Sequence, residues 1–408
     1  MTALLLNEIA LALYPVAAVS SQSLLDLTTV VMFFSLIWML RKNKSQFVFQ
    51  KIGIEWAFLA YVVVVILGFA INASKEAEWL RSFLKFSWLI NIYILILVLQ
   101  TVEIETTRIV KVLSALSLGP TLYSLISYLQ GFDLITGRDN VRITGLVNSS
   151  TYHAHGNAFL FVFLVGGIFF SFKKLPKFWK VFSLISTFLL GVSILLTFTR
   201  GVWLSIFLST IMILFFIDWK KVLKFTGGTI TLFLLLFFLW PKFHDRIVTT
   251  SNSDYNEMRV SLFKVNVQIW KEYPLLGIGF GENIRRNREY WDRPEWNKPA
   301  DYLTSHAHNQ FLNVLATTGI FGFVFFCWFF FFFILKNVKM IQKTNRLQTP
   351  ERFAILLICL WAQLQFLLAC WSDVGFEYAK IRALILLVWA LVIAIEQKPS
   401  IVKELKHV

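Results

Sequence analysis

Long apolar segments, joined by short links rich in lysine and arginine, constrain the fold of this chain more than any other feature. A helix needs roughly 20 apolar residues to cross the hydrocarbon core of a bilayer. The segments that approach or exceed this length are 4–19, 23–40, 53–72, 86–101, 107–128, 157–172, 181–198, 202–217, 222–240, 311–335, 353–371 and 381–396. Only 15% of the residues are charged, against about a quarter in soluble domains. The sequence therefore predicts an all-α polytopic membrane protein with about twelve transmembrane helices.

The distribution of positive charge predicts how the chain crosses the membrane. The formal net charge is +15. The lysines and arginines concentrate in the links at 41–44, 173–180, 220–224 and 336–352 and in the tail from 398 onward. Cytoplasmic links of membrane proteins carry such clusters. We therefore expect both termini in the cytoplasm, and we expect these basic residues to anchor the chain at the membrane rather than to bind nucleic acid. No basic residue precedes the first apolar segment, so we expect that segment to be retained rather than cleaved as a signal peptide.

The segment between the ninth and tenth predicted spans is too long to be a simple link. Residues 241–310 contain ten basic and nine acidic side chains, which is typical of a folded subdomain in water. Asp254 and Glu257 resemble a capping box at the start of a helix that Pro274 ends. The apolar residues at helical spacing, which predict its packed face, are Val260, Phe263, Val267 and Trp270. We expect three parts: spans one to nine in 1–240, a mainly helical outer loop in 241–310, and spans ten to twelve with a cytoplasmic tail in 311–408.

His308 lies where this polar segment runs into the tenth predicted span. Asn309, nine further residues and the pair Gly319 and Gly322 follow it. An imidazole at the water edge of a membrane helix can accept a proton close to lipid-borne substrates. The two glycines would let another helix backbone approach closely. We therefore predict that His308 takes part in chemistry at the outer membrane surface.

Three arginines on the predicted outer side are candidates for binding an anionic ligand. Arg200 interrupts an apolar stretch, where a cation needs water, a counter-charge or an anion. It either grips phosphate oxygens or extends from a tight turn to lipid phosphate. Arg259, in the first turn of the predicted outer helix, either suits an anion at the helix N-terminus or is a surface arginine. Arg142 is a further candidate in the loop after the fifth span.

The remaining candidates are histidines and one aspartate. The triplets His153-Ala154-His155 and His306-Ala307-His308 both fall on the predicted outer side. Four imidazoles can ligate zinc. Because no acidic residue or cysteine joins either triplet at a usual ligand spacing, we predict no metal site. Asp373, at the outer end of the eleventh span, either orients an arginine or histidine or caps the helix.

Together these motifs resemble the O-antigen ligase family. His308-Asn309, nine residues and the Gly-x-x-Gly of Gly319 and Gly322 match that family's pattern. Thr199-Arg200-Gly201 is similar to its Ser/Thr-Arg-Gly element, and 259–281 looks like the opening of its large periplasmic loop. The motif resemblance covers most of 140–335. Elsewhere it rests on topology, namely twelve spans with cytoplasmic ends.

The resemblance implies a bacterial inner-membrane glycosyltransferase of GT-C-like architecture that acts in lipopolysaccharide biosynthesis. Surrounded by membrane lipids, it would transfer a glycan from undecaprenyl pyrophosphate to a sugar hydroxyl of the lipid A core on the periplasmic face, with neither metal nor cofactor. His308 would be the catalytic histidine, and Arg200 and Arg259 would hold the donor pyrophosphate, with Arg142 as an additional candidate. The supporting residues would be Asn309, Gly319, Gly322 and Asp373. Direct attack by the hydroxyl would invert the anomeric centre.

The sequence leaves three other functions open. An O-antigen polymerase would share the donor and the outer arginines but extend the glycan on its carrier. A protein O-oligosaccharyltransferase would need a protein acceptor. A lipid-linked glycan transporter would explain the spans and the arginines without the histidine, and such proteins often contain paired broken helices. The sequence does not show such a pair. It also does not specify the glycan repeat or the acceptor sugar.

Overall fold

The computed structural model describes residues 2–42, 44, 47–72, 88–139, 142–248, 254–291, 293 and 306–402. The helices are α1 (Thr2–Ser20), α2 (Gln22–Lys42), α3 (Glu55–Asn72), α4 (Trp88–Leu99), α5 (Thr106–Gln130), α6 (Ser150–Ser171), α7 (Lys177–Leu196), α8 (Arg200–Ile217), α9 (Trp219–Leu239), α10 (Pro241–Val248), α11 (Asp254–Glu272), α12 (Asn283–Trp291), α13 (Gln310–Lys343), α14 (Pro350–Ala369) and α15 (Ala379–Gln397). Among the described links, 3-10 turns lie at Gly145–Val147 and Phe172–Lys174, and another follows α15 at Pro399–Ile401. The predicted all-α fold is confirmed.

Ten of these helices are long and apolar enough to cross a membrane. They are α1, α2, α3, α5, α6, α7, α8, α9, α13 and α14. The other two predicted spans correspond to α4, whose described part has 12 residues, and to α15. The latter has 19 residues but carries Lys380, Arg382 and Glu396. A multi-pass membrane protein is therefore confirmed, while the count of twelve spans stays a prediction.

The helices α14 and α15 form the centre of the bundle. Most of their residues are buried, and α14 packs against α6, α8, α13 and α15. Aromatic rings of α13 pack against this centre. Phe330 stacks on Phe366 with ring centroids 5.7 Å apart, and Phe333 stacks on Trp389 at 4.3 Å. Such pairs add specific attraction to the burial of apolar area. By contrast, no residue of α9 is buried, so this helix lies at the periphery of the bundle.

The loops collect at two ends of the bundle. We call the end formed by 131–139, 142–149, 197–199, 306–309 and 370–378 the histidine end. At the opposite end, the buried carboxylate of Glu351 accepts hydrogen bonds from Thr106 Oγ1 at 2.7 Å and from Lys174 Nζ at 2.7 Å. This opposite end carries the lysine-rich links that the sequence places in the cytoplasm. The orientation of the bundle in the membrane stays a prediction.

Within 241–310 the described residues are mainly helical, as expected, with an irregular segment at 273–282. The predicted packed face of α11, however, is wrong. The buried residues are Leu262, Val265 and Ile269, whereas Val260 is exposed. Both sets recur at helical spacing, so periodicity alone could not choose between them. The partner decides, because the buried set packs on Ala316 of α13 and on residues of the following loop and α12.

The helix α13 is broken at Gly319, where φ is 64° and ψ is −168°. The segment 274–279 fills the gap in its hydrogen bonding. Ile278 N donates to Ala316 O at 3.1 Å, and Ile320 N donates to Pro274 O at 2.9 Å. Backbone polar groups freed inside a membrane protein need such partners. The break is therefore satisfied by a second piece of main chain.

The two glycines of the motif have different neighbours. A Cβ on Gly319 would overlap the backbone of Leu275, and its positive φ also disfavours other residues. A Cβ on Gly322 would overlap the side chain of Thr318. The predicted close approach of another backbone therefore occurs at Gly319. The approaching segment is a loop, however, and the expectation of a helix is wrong.

Candidate functional site

Two imidazoles meet a buried carboxylate at the histidine end. His306 Nε2 lies 3.5 Å from Asp373 Oδ1, and His308 Nδ1 lies 3.6 Å from the same oxygen. Asp373 is only 3% exposed, whereas both imidazoles are partly exposed. From the other side, His155 Nε2 approaches Asp373 Oδ2 at 3.9 Å. One buried carboxylate therefore faces three imidazoles.

The carboxylate of Asp373 is held in its charged form. Burial favours the neutral acid, but His306, His308 and His155 outweigh burial and hold the pKa of this carboxyl well below its usual value. The amide of Val374 also donates to Asp373 Oδ1 at 2.8 Å. The site therefore contains a fixed negative charge that can orient a neighbouring imidazole.

Tyr378, the residue before α15, contacts the same cluster. Its hydroxyl lies 3.0 Å from His306 Nε2 and 3.4 Å from Asp373 Oδ1. Burial, and then the charge of Asp373, raises the pKa of this phenol above its usual value. The hydroxyl therefore keeps its proton and can donate it in a hydrogen bond. The ring packs on Tyr152, with centroids 3.8 Å apart.

Hydrogen bonds of the two residues after His308, Asn309 and Gln310, hold it at the start of α13. Its φ of 49° lies in the left-handed region, which non-glycine residues seldom adopt. Asn309 caps the helix by accepting from Leu312 N at 2.9 Å, and its Nδ2 donates to Trp371 O at 3.1 Å. Gln310 N donates to Cys370 O at 2.9 Å. These bonds tie the start of α13 to the loop that carries Asp373.

Arg200 begins α8 beside that loop. A Cβ on the next residue, Gly201, would overlap the hydroxyl of Ser372, which immediately precedes Asp373. The N-terminus of α8 therefore abuts the Asp373 loop, with Arg200 half-buried there. The helix dipole and the free amides of a helix N-terminus favour an anion. The predicted turn before α8 is present, and it lies next to the cluster.

The structure places Arg142 against this turn. Its Nε donates to Thr197 O at 2.7 Å, and its Nη2 donates to Thr199 Oγ1 at 3.2 Å. These bonds stabilise the segment that leads into Arg200. Arg142 thus lies where it can position Arg200.

Arg259 lies in the second turn of α11 and not in the first as expected, since the helix begins at Asp254. It is half-buried. The helix α11 packs on α13 through Leu262, one turn further along. His308 and Asp373 are thus in contact, and Arg200 lies next to them. Arg259 lies on the helix that packs against α13.

The two histidine triplets differ in structure. On α6, His153 and His155 are two residues apart and therefore point to different sides of the helix. His153 Nε2 lies 2.7 Å from Ser193 Oγ, away from Asp373. In the other triplet, the rings of His306 and His308 lie side by side with centroids 4.5 Å apart. Only one member of the first triplet therefore joins the cluster.

Sequence reasoning missed three members of the cluster, namely His155, His306 and Tyr378. The first two stood in triplets that were weighed only as metal ligands. The objection to a metal was the absence of an acidic neighbour in sequence. In the structure that acidic neighbour is Asp373, which lies 65 positions after His308 in the sequence. No local pattern marked Tyr378.

A family model described as O-antigen ligase matches residues 185–327. The match includes Arg200, Arg259, His308 and the glycine pair, and it ends before Asp373. No curated protein matches the chain at a significant level. Residues 185–327 of this polytopic membrane protein are therefore similar to the O-antigen ligase family.

Proposed function

We propose that the chain is an O-antigen ligase, which transfers a glycan from undecaprenyl pyrophosphate to a sugar hydroxyl of the lipid A core. The membrane lipid environment and the family support a lipid-linked donor. By this proposal the enzyme lies in the bacterial inner membrane, with the histidine end facing the periplasm and both termini in the cytoplasm. The lysine-rich links at the opposite end support that orientation.

The contact between His308 and Asp373 carries the proposal. A sugar hydroxyl is a weak nucleophile until a base removes its proton, and an imidazole suits this task near neutral pH. His308 Nδ1 faces the carboxylate of Asp373 at 3.6 Å. With the ring proton on Nδ1, the lone pair of Nε2 is available to the acceptor hydroxyl. Asp373 would then stabilise the imidazolium that forms, as a positioning residue.

The arginines account for the other half of the reaction. As the bond from the sugar to the carrier breaks, negative charge grows on the pyrophosphate, and Arg200 at the N-terminus of α8 would neutralise it. Arg259 would contact the same group from the outer subdomain, and Arg142 would position the turn before Arg200. Direct attack inverts the anomeric centre. In this proposal neither a metal nor a cofactor takes part in the transfer.

Transfer by the purified full-length chain in proteoliposomes tests the function. The substrates are an undecaprenyl pyrophosphate-linked glycan and lipid A core. We expect His308→Ala to reduce transfer by about a hundredfold to ten-thousandfold, the range of general base catalysis. The matched control is His244→Ala, whose side chain is 44% exposed on α10. Full transfer by His308→Ala would exclude the role of this base.

The product of the same assay separates the ligase from a polymerase. A ligase attaches the glycan to lipid A core, whereas a polymerase lengthens the glycan on its carrier. A deletion strain gives the corresponding phenotypes: bare core for a lost ligase, and core bearing one repeat for a lost polymerase. Carrier-linked polymer as the only product would overturn the ligase proposal and support the polymerase. Movement of the carrier without transfer would support a transporter.

A further inference from the structure

We propose that His306, His308 and Asp373 also form a binding site for a divalent transition metal, with Zn²⁺ the best match, and that metal bound there blocks glycan transfer. The ligand atoms would be His306 Nε2, His308 Nδ1 and Asp373 Oδ1, which all lie within 4.8 Å of one another. The binding step stands on this geometry alone. The inhibition rests on the proposed function.

The distances fit a metal better than a hydrogen bond. The two nitrogens lie 3.5 and 3.6 Å from Asp373 Oδ1, beyond the roughly 2.7–3.2 Å of N–H···O bonds. A tetrahedral Zn²⁺ with bonds of about 2.0–2.1 Å separates its ligand atoms by about 3.4 Å. The two distances from the imidazole nitrogens to Asp373 Oδ1 are therefore already close to those of a zinc site. Small rotations of the two partly exposed imidazoles can shorten the third distance, between His306 Nε2 and His308 Nδ1.

The ligand set and its surroundings also suit zinc. Two imidazoles and one carboxylate are a common three-ligand set that leaves a fourth position for water. Groups outside the ligands usually hold them in place. Here His155 faces the second oxygen of Asp373 at 3.9 Å. The hydroxyl of Tyr378 lies 3.0 Å from His306 Nε2, the proposed ligand atom, so it must give up this contact when a metal binds. The side chains of His306 and His308 are 17% and 16% exposed, so an ion can enter from water.

Metal at this position would remove the base. A neutral imidazole has one nitrogen with a proton and one with a free lone pair. If the lone pair of His308 Nδ1 binds the metal, the ring proton must sit on Nε2. Nε2 can then donate a hydrogen bond but cannot accept the proton of a sugar hydroxyl. Binding would therefore inhibit transfer without displacing either substrate.

Cobalt absorption measures the site directly. Co²⁺ titrated into the purified full-length chain in detergent should give the intense visible bands of tetrahedral coordination, and Zn²⁺ should displace it with a stoichiometry of one. We expect His306→Gln to weaken binding by roughly a hundredfold or more, since it removes a direct ligand. His244→Gln, whose imidazole lies 3.3 Å from Asp245 on α10, should bind as the wild type does. Thermal unfolding of each variant checks that it folds.

The possible outcomes separate the two proposals. Stoichiometric binding that requires His306, together with loss of transfer on adding Zn²⁺ and recovery with a chelator, supports both. The absence of tetrahedral bands in the folded wild type, or equal binding by His306→Gln, overturns the metal site. Loss of transfer in His308→Ala would still support the base in that case. Tight metal binding with unchanged glycan transfer would overturn the proposed inhibition, and it would also overturn the role of His308 as the base.

Discussion

In the proposed mechanism, Asp373 determines which nitrogen of His308 is available to the acceptor hydroxyl. Its carboxylate lies 3.6 Å from Nδ1, and its lowered pKa keeps it charged at neutral pH. The lowered pKa of Asp373 also determines how folding stability depends on pH. A depressed pKa contributes folding stability above the usual value of about 4, and this contribution is lost as the pH falls through the lower folded value. The site therefore keeps its anion through the neutral range.

Replacing Asp373 by asparagine tests its positioning role. Asp373→Asn keeps the shape of the side chain but removes the charge that stabilises the imidazolium of His308. We expect kcat to fall by roughly a hundredfold or more, with little change in the KM for the carrier-linked glycan. Steady-state transfer in proteoliposomes gives both constants. Asp245→Asn, at an exposed carboxylate next to another histidine, is the matched control. An unchanged kcat would show that His308 does not depend on Asp373.

Arg142 is predicted to act through the turn that precedes Arg200. Arg142→Ala removes the bonds to Thr197 O and Thr199 Oγ1, which frees the turn and misplaces Arg200. We expect a KM for the lipid-linked donor several-fold higher, partly restored in Arg142→Lys, which keeps one donor. Arg138→Ala, an exposed arginine in the same loop, should have the wild-type KM. Equal KM values for Arg142→Ala and the wild type would contradict this role.

At the scale of elements, the broken helix α13 couples the outer loop to the site. The segment 274–279 completes the hydrogen bonding of α13 at Gly319. It also contacts α3, because Asn72 Nδ2 donates to Gly277 O at 2.7 Å. The first turns of α13 carry the residues next to His308. Any displacement of this loop will therefore shift the start of α13 and the cluster attached to it.

Gly319→Ala tests this coupling. Alanine at a φ of 64° is strained, and its Cβ would overlap the backbone of Leu275. We expect a loss of stability of about 1–3 kcal/mol and a fall in transfer, because the loop has to move. Thermal unfolding and the transfer assay measure the two effects. Gly119→Ala in α5, where a Cβ meets nothing within 4 Å, should leave both unchanged or raise stability slightly. Wild-type stability and transfer in Gly319→Ala would refute the coupling.

The outer helices α11 and α12 are joined by an acid-sensitive contact. Glu272 accepts a hydrogen bond from Arg293 Nη1 at 3.0 Å and one from the hydroxyl of Tyr290. Burial opposes ionisation, but these bonds outweigh it and lower the pKa of Glu272 to about 2. A depressed pKa stabilises the fold above the usual value of about 4.3. That stabilisation shrinks as the pH falls toward 2.

The contact predicts a pH-dependent difference between the wild type and Glu272→Gln. At pH 7 the variant lacks the ionic bonds, so we expect it to have the lower Tm. Between pH 4 and pH 2 the carboxyl of the wild type takes up its proton, and the two Tm values should converge. Thermal unfolding in detergent over this range measures the difference. A difference that stays constant with pH would show that Glu272 does not act through its charge.

For the whole molecule, the alternation of spans assigns each loop to one side of the membrane. The loops of the histidine end would face the periplasm, and the lysine-rich links would face the cytoplasm. Cysteine labelling with a membrane-impermeant maleimide tests this in intact cells. In a background without Cys327, Cys359 and Cys370, Asp245→Cys should react and Gln348→Cys should react only after lysis. The reverse pattern would overturn the orientation and the periplasmic site.

The sequence determined the features that depend on short stretches of chain. Hydropathy predicted the membrane helices because each span is defined by its own roughly 20 residues. The turn before Arg200 and the position of His308 at the start of α13 were also local. The motifs 199–201 and 308–322 therefore pointed to the O-antigen ligase family without any tertiary information.

The tertiary structure alone decided how these local features combine. Asp373 meets His306 and His308 across more than 60 residues of sequence, and no spacing rule predicts a contact between separate helices. The packed face of α11 and the loop that enters the break at Gly319 depend on the partner surface of α13. The hydrogen bonds of Arg142 to Thr197 and Thr199 also join residues that are far apart in sequence, so the sequence could not predict them. Side-chain chemistry can be listed from sequence, but the distances that make it a site are set by packing.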